Sequence, residues 1–214
     1  MARGAPLSAR TALAGDGVRF VRTARAVREA LAQRHRYAHV LRVARFAERL
    51  ARAHRLDAGA ARTAALLHDL ARLYSDERLL RECAERGLAI DAFERAHPLV
   101  LHARLGAELA RERFGVADER VLSAIRKHTL ADAVMSPLDA VVYLADGLEP
   151  GRAFPERAEL AALAERDLDA ALRGALASSI AYLRGRGLAV APQTRAAAER
   201  YGIIVEAPEE SSPA

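Results

Sequence analysis

The sequence has little of several residue types that mark common protein classes. Its 214 residues include one cysteine, two methionines and no tryptophan, and aromatic residues make up only 5%. Because Cys83 is alone, no disulfide can form within the chain, and its helical neighbours predict a small buried hydrophobe at that position. The scarcity of aromatic residues beside abundant alanine and leucine favours helices over a β-sandwich.

Long apolar runs are also missing. No stretch is long enough to span a bilayer, and the arginine-dotted N-terminus lacks the apolar core of a secretory signal. We therefore expect a cytoplasmic protein with no membrane partner. The sequence shows no strand–helix alternation, no glycine-rich phosphate loop and no cysteine cluster, which argues against an α/β nucleotide-binding fold and a structural zinc finger.

Lysine is nearly absent, since Lys127 is the only one and the net charge of +5 comes from arginine. The arginines alternate with aspartate and glutamate along helical faces and form no basic block. Only clustered charge makes an electrostatic footprint for nucleic acid, so we expect no nucleic-acid partner. An anionic small substrate is compatible with this charge.

Apolar periodicity predicts an all-α fold, a single compact helical bundle spanning 18–205. Residues 1–17 are expected to form a flexible arm and 206–214 a disordered tail. Weak strand candidates at 188–190 and 203–205 could pair or simply be tail segments. Predicted helices cover 18–31, a stretch from about Tyr37, 58–69, 76–86, 99–114, 119–128, 137–148 and 168–183.

The helical pattern directs several polar residues inward. His39 shares a face with Val43, Phe46 and Leu50. Asp57 is a predicted N-cap for the helix that ends at the pair His68-Asp69. His102 in the first turn of its helix, His128 at the end of the next one and Asp146 at the end of a helix capped by Ser136 also lie on apolar faces.

Four of these inward residues predict a metal site between helices: His39, His68, Asp69 and Asp146. A buried carboxylate costs several kcal/mol or more without a partner, and a metal ion supplies one. Imidazoles and carboxylates together suit a divalent ion such as iron, manganese, cobalt, nickel or zinc. Four protein ligands on a six-coordinate ion leave room for water and a substrate oxygen, and such an ion makes water more acidic.

The ordered set of His39, His68-Asp69 and Asp146 resembles the HD superfamily of metal-dependent phosphohydrolases. Further segments are similar to its YqeK branch, bacterial hydrolases that cleave diadenosine tetraphosphate symmetrically into two ADP. The resemblance covers about 34–194, and its most specific element is the run from Asp146 to Glu149-Pro150-Gly151-Arg152. The other segments that carry it are Arg36-Tyr37-Ala38-His39, Leu67 to Arg72, Leu101-His102 with Gly106-Ala107, and Ile125 to Thr129.

The resemblance implies an HD-type helical domain in which the four ligands hold an iron-like ion. It implies that Asp69 positions the attacking water together with the metal, and that His102 and His128 take part in catalysis. The substrate would be a dinucleoside polyphosphate and the product ADP. The positions implied to bind it are Arg36, Leu70, Ala71, Arg72, His102, His128 and Arg152.

Some positions depart from the branch, and some alternatives stay open. Arg72 stands where the branch usually has lysine, Ala103 where it has glycine, and Gly147 where it has a larger residue. His102 and His128 could instead be ligands of a second metal. The chain could act on another nucleotide, such as a deoxynucleotide or a guanosine alarmone, or be a nucleotide-sensing module without turnover. An apolar patch on the C-terminal helix could support a homodimer.

Overall fold

The computed structural model describes residues 23–31 and 33–205, and every regular element in these ranges is a helix. The all-α prediction is therefore confirmed. The predicted arm 1–17, the predicted tail 206–214 and the first residues of the predicted 18–205 domain lie outside the described residues. Residues 188–190 lie in the connection before the last described helix, and residues 203–205 follow that helix. Neither strand candidate therefore forms a strand.

The chain folds as a series of helices with short connections. A 3₁₀ turn at Pro98–Leu101 leads directly into the sixth α-helix. The α-helices are α1 (23–31), α2 (Arg34–Ala53), α3 (Ala58–Leu67), α4 (Asp76–Glu85), α5 (Ala92–Ala96), α6 (His102–Phe114), α7 (Glu119–Lys127), α8 (Pro137–Leu148), α9 (Arg157–Ala164), α10 (Leu168–Gly185) and α11 (Pro192–Arg200).

Capping residues set the starts of the helices that carry the site. The Asp57 side chain accepts a hydrogen bond from the Ala60 amide at 2.9 Å and begins α3. Ser136 and Asp139 form a reciprocal capping box with Pro137 in the first turn of α8. These predicted caps are confirmed. The helix predicted from residue 99 begins instead at His102, because the residues after Pro98 form the tighter 3₁₀ turn.

The core lies where α2, α3, α7 and α8 pack against one another, with α6 and α10 on its sides. Its fully buried side chains include Leu50, Leu66, Leu105, Ile125 and Leu144. Cys83 is also fully buried, and burial raises the pKa of its thiol to about 11, which confirms the predicted hydrophobic role. None of the described helices has the length and apolar character needed to cross a membrane.

Close helix contacts depend on small residues. A side chain at Gly106 of α6 would place its Cβ 3.2 Å from the backbone oxygen of His68, at the end of α3. The bare glycine lets α6 approach the His68-Asp69 turn. As a result, the start of α6 and the ends of α3, α7 and α8 meet beside the first turns of α2.

Candidate metal centre and polyphosphate cavity

Five helices bring four histidines and two aspartates to one place. Each side chain lies on the first or last turns of its helix or directly after it. The four imidazoles and the Asp69 carboxylate are buried, and Asp146 is partly exposed. The six residues are His39 on α2, His68 and Asp69 directly after α3, His102 at the start of α6, His128 directly after α7 and Asp146 on α8.

Backbone carbonyls orient three of these imidazoles. A carbonyl oxygen only accepts, so each Nδ1 in contact with one must carry the hydrogen. In the neutral ring this leaves Nε2 with a free lone pair, the arrangement of a metal-ligating histidine. The Nδ1 atoms of His68, His102 and His128 lie 2.6, 2.6 and 2.7 Å from the oxygens of Ala65, Leu99 and Ile125 respectively.

The donor atoms of His39, His68 and Asp146 form a compact group. Asp146 Oδ1 lies 3.1 Å from His39 Nε2 and 3.9 Å from His68 Nε2. All three donor atoms lie within 4.8 Å of one another. His68 Nε2 is buried and has no hydrogen-bond partner among the described residues. A buried atom of this kind needs an explanation, and a bound cation supplies one.

Asp69 belongs to a second group that overlaps the first at His68. Its Oδ2 lies 3.6 Å from His68 Nε2 and 4.0 Å from His39 Nε2. The donor atoms of His68, Asp69 and His128 again fall within 4.8 Å of one another. The four predicted ligands are thus side by side. Neutral imidazole and carboxylate donors at these distances could hold a divalent metal ion.

The charges of these groups are set by their surroundings. Burial favours the neutral form of Asp69, but the adjacent imidazoles of His68 and His102 hold the Asp69 pKa well below its usual range. Burial is likewise outweighed at Asp146, where the contact with His39 and the charge of Arg152 keep the pKa low. Burial and the neighbouring His68 lower the pKa of His128 to about 3. Both carboxylates are therefore ionised and His128 is neutral near pH 7.

His102 and His128 face each other beside Asp69. Their Nε2 atoms are 3.2 Å apart, and His102 Nε2 lies 3.4 Å from Asp69 Oδ1. The Thr129 hydroxyl oxygen is 3.2 Å from His102 Nε2 and 3.0 Å from His128 Nε2. This cluster can hold a proton between two imidazoles and a carboxylate.

Arginines form the outer wall of the site. Arg152 donates from Nη2 to Asp146 Oδ1 at 2.5 Å, and Arg36 Nη1 lies 3.6 Å from Asp69 Oδ2. Arg72 is half-buried, and its pKa is lowered by burial and by the charge of Arg36. These groups surround a cavity of about 280 Å³, which we name the polyphosphate cavity after the ligand that the family resemblance implies. It is lined by Arg36, Asp69, Arg72, Leu99, Val100, His102, His128, Thr129, Asp146 and Arg152.

Two predicted substrate-binding positions differ from the rest. Leu70 and Ala71 are 6% and 0% exposed, and the lining of the polyphosphate cavity within the described ranges does not include them. They form the turn that follows Asp69, where their side chains pack into the core. Substrate contact at these two positions therefore stays a prediction.

Sequence reasoning assigned no role to Glu149, Arg42 or Thr129. Glu149 is 1% exposed, and its Oε1 accepts from His39 Nδ1 at 3.0 Å. Arg42 donates to the two oxygens of Glu149 at 2.6 and 2.9 Å. Burial is offset by these bonds, which lower the Glu149 pKa to about 2. Their spacing in the sequence could have indicated a role beside the site, because Arg42 follows His39 by three residues and Glu149 follows Asp146 by three residues.

The chain matches the model of the HD domain family over residues 36–151. This segment contains the four histidines and two aspartates of the site and also Glu149.

Curated relatives share a common description. A protein of Bacillus subtilis named symmetrical bis(5'-nucleosyl)-tetraphosphatase is 36% identical over 160 residues, which cover 75% of this chain and 86% of the relative. A protein of Halalkalibacterium halodurans with the same name is 35% identical over 162 residues, covering 76% and 86%.

A solved structure has the same architecture. The crystal structure of a predicted HD superfamily hydrolase involved in NAD metabolism, from Clostridium acetobutylicum, superimposes with a TM-score of 0.81 at 31% sequence identity. The match covers 85% of this chain and 96% of that one.

Proposed function

This chain belongs to the HD domain family, and we propose that it is a symmetrical bis(5'-nucleosyl)-tetraphosphatase that cleaves diadenosine tetraphosphate into two ADP. The names of the relatives support the substrate, and the site supports the chemistry. The observation that carries the proposal is the buried set of histidine and aspartate donors directly beside three arginines. Such a site can hold a divalent cation directly beside an anionic substrate.

We propose that His39, His68, Asp69 and Asp146 hold the ion, and that it is iron, with manganese, cobalt, nickel and zinc as the alternatives. The mixture of imidazole and carboxylate donors without thiolates supports this range. When bound, a divalent ion supplies positive charge to phosphoryl oxygens and lowers the pKa of water. Metal analysis after anaerobic purification tests the identity.

Arg36, Arg72 and Arg152 are proposed to bind the polyphosphate chain. A guanidinium group presents several donors in a plane, which matches the geometry of phosphate oxygens. Charge develops on the phosphoryl and leaving oxygens during the reaction, and fixed cationic donors stabilise it without reorganising. The arginine wall therefore contributes to both binding and turnover.

Symmetrical cleavage requires water to attack the second phosphorus from one adenosine. The bond from that phosphorus to the central bridging oxygen breaks, and this oxygen leaves with the other ADP. Asp69 is ionised and is proposed to orient the attacking water and accept its hydrogen bond. His102 and His128 are proposed to contact the leaving phosphate, with His102, the one beside Asp69, holding the proton that the leaving oxygen takes up.

Product analysis tests the proposal. Protein loaded with iron or cobalt is incubated with diadenosine tetraphosphate in ¹⁸O-labelled water, and the nucleotides are separated by anion exchange. We expect ADP alone, with one labelled oxygen in one of every two ADP molecules. The double variant His68→Ala/Asp69→Ala is expected to lose this activity, since it removes two ligands.

Other products would contradict the proposal. ATP with AMP would indicate attack at a different phosphorus. No turnover of this substrate, with hydrolysis of a deoxynucleotide or a guanosine alarmone, would assign the chain to another nucleotide. ADP binding without any hydrolysis would indicate a sensing module. The homodimer suggested by the sequence stays a prediction, which molecular mass in solution tests.

A further inference from the structure

A larger cavity of about 880 Å³ opens on the other side of Arg152. It lies between the loop after α8 and the outer face of α10. Four residues line both this cavity and the polyphosphate cavity: His128, Thr129, Asp146 and Arg152. The two cavities are therefore neighbours with a common wall that includes a proposed metal ligand.

The second cavity differs in chemistry from the first. Its walls carry the rings of Tyr143, Phe154 and Tyr182, with the hydroxyls of Ser178 and Ser179 among them. The Tyr143 hydroxyl hydrogen-bonds Ser179, and Tyr143 is buried. Tyr182 is 61% exposed, so most of its surface is open to a ligand. Aromatic walls with a few hydroxyls are typical of small-molecule sites, and the volume falls in their usual range of roughly 300–1,000 Å³.

Gly147 contributes to the space in this cavity. It follows Asp146 directly, and a Cβ at this position would have no atom within 4 Å. The backbone is helical there, so the glycine is not required by its conformation. The Cβ of a larger side chain at this position would therefore have room, beside Asp146 and Arg152 in the lining of the cavity.

We propose that this cavity, named the Tyr182 cavity, binds one of the two nucleosides of the substrate, with its base against the aromatic rings. The proposal rests on the proposed function, because a dinucleoside tetraphosphate carries a nucleoside at each end of its phosphate chain. When the central phosphates lie in the polyphosphate cavity, a nucleoside at one end of the chain can reach the Tyr182 cavity across the common wall. The Tyr182 cavity is a neighbouring space with rings on which a base can stack.

The Tyr182 cavity would also help to select the cleaved bond. Holding one nucleoside fixes how many phosphates extend from the Tyr182 cavity to the centre of the site. A substrate held in this way presents the same phosphorus to the water in each turnover. Tyr182 and Phe154 would therefore help to determine which phosphorus is attacked, separately from metal binding.

Binding of two probes tests the inference. One probe is the hydrolysis-resistant β,β′-methylene analogue of diadenosine tetraphosphate, and the other is inorganic tripolyphosphate, which has no base. Their affinities are measured by calorimetry on cobalt-loaded protein. Removing a ring that stacks on a base typically weakens binding about tenfold. We expect this loss for the analogue with Tyr182→Ala, recovery with Tyr182→Phe, and no change for tripolyphosphate with either variant.

A matched pair of bulky substitutions provides a second test. Ser178→Phe, on the α10 wall of the Tyr182 cavity, is expected to occupy that cavity and weaken the analogue at least tenfold. Gly185 lies at the exposed end of α10, has open space at its Cβ position and does not line the Tyr182 cavity. Gly185→Phe should therefore bind the analogue like the unmodified protein.

The outcomes separate this inference from the proposed function. Unchanged analogue affinity in both Tyr182→Ala and Ser178→Phe overturns the inference. An equal loss of tripolyphosphate affinity also overturns it, because the damage would then lie in the polyphosphate cavity. Hydrolysis of diadenosine tetraphosphate to ADP by the unmodified protein is followed in parallel. If that reaction is present while the variants bind normally, the proposed function stands and only the inference fails; if it is absent, both fail.

Discussion

Glu149 holds the ring of His39 from a position 110 residues away, through a 3.0 Å contact between Oε1 and Nδ1. Because the ionised carboxylate accepts, Nδ1 carries the hydrogen and Nε2 is free to face Asp146. Arg42 binds both oxygens of the same carboxylate, and the Gly151 amide donates to Oε2. The orientation of the nitrogen that faces Asp146 therefore depends on an ion pair between the buried Glu149 and the partly exposed Arg42, neither of which is a proposed ligand.

Replacing Glu149 by glutamine should weaken metal binding without removing a ligand. The variant keeps the size of the side chain but loses the negative charge that orients His39 and increases its basicity. Changes of this kind typically cost about 10- to 100-fold in metal affinity. Cobalt titration followed by visible absorption, in competition with a chelator, measures the effect directly.

The control for this variant is Glu165→Gln, since Glu165 forms a surface pair with Arg49 and is 42% exposed. We expect normal cobalt affinity for it, because an exposed pair contributes little. Equal affinities in Glu149→Gln and Glu165→Gln would show that the carboxylate does not position His39.

Local patterns explain what could be predicted of this site. The positions of His39, His68 and Asp146 followed from helical spacing and capping signals, because burial on an apolar face is a local property. The partnership of Glu149 with Arg42 depends on how the end of α8 meets α2, which spacing within either helix does not determine. It therefore emerged only from the three-dimensional arrangement.

The helices show the same difference between what local patterns predict and what depends on contacts between distant segments. The long periodic helix α10 was predicted to within two residues, and α2 begins at Arg34, three residues before its predicted start near Tyr37. The five-residue helix α5 was not predicted, because it is too short to show periodicity. Its capping box between Asp91 and Glu94 and the contact of Glu94 with Arg104 on α6 hold it in place. Tertiary contacts decide such short elements.

Arg72 should contribute to binding the phosphates through its charge and its planar shape. We expect Arg72→Ala to weaken tripolyphosphate binding at least tenfold, since a hydrogen bond to a charged group contributes about 1.5–3 kcal/mol. Arg72→Lys should fall between, because lysine keeps the charge but not the two-pronged geometry. Calorimetry on cobalt-loaded protein measures both variants.

The matched control is Arg81→Ala on α4, which removes an arginine that is 60% exposed and paired with Glu85. Its tripolyphosphate affinity should equal that of the unmodified protein. If Arg72→Ala also binds tripolyphosphate normally, Arg72 has no phosphate-binding role.

Gly106 should be required for the close approach of α6 to the metal centre. A Cβ there lies 3.2 Å from the His68 oxygen and 3.7 Å from Ile125 Cγ2, so Gly106→Val places further methyl groups in filled space. Overpacking of this kind typically costs about 1–3 kcal/mol of unfolding free energy. We expect a lower midpoint in urea and a weaker cobalt affinity, since His68 would shift.

Gly185→Ala provides the comparison, because its Cβ meets open space at the end of a helix. Alanine is a better helix former, so this variant should be as stable as the unmodified protein or slightly more stable. Equal urea midpoints for Gly106→Val and Gly185→Ala would contradict the packing argument.

Metal binding should stabilise the fold through His68. Its Nε2 is buried and unpaired among the described residues, and the donors around it come from helices that are distant in sequence. A ligand present at 100 times its Kd and bound only by the folded state adds about 2.7 kcal/mol. For a chain of this size that corresponds to a rise in Tm of roughly 5–10 °C. Thermal unfolding of metal-free protein, with and without cobalt, measures the shift.

Two histidine variants decide whether this shift belongs to the proposed site. His68→Ala should remove it, with each preparation compared against its own metal-free form, because the substitution also leaves a cavity in the core. His97→Ala changes an exposed histidine after α5 and should keep the full shift. A full shift in His68→Ala would mean that cobalt binds elsewhere, and the unpaired Nε2 would then need another partner. A shift lost only in His68→Ala would link the metal to the imidazole that the Ala65 carbonyl orients.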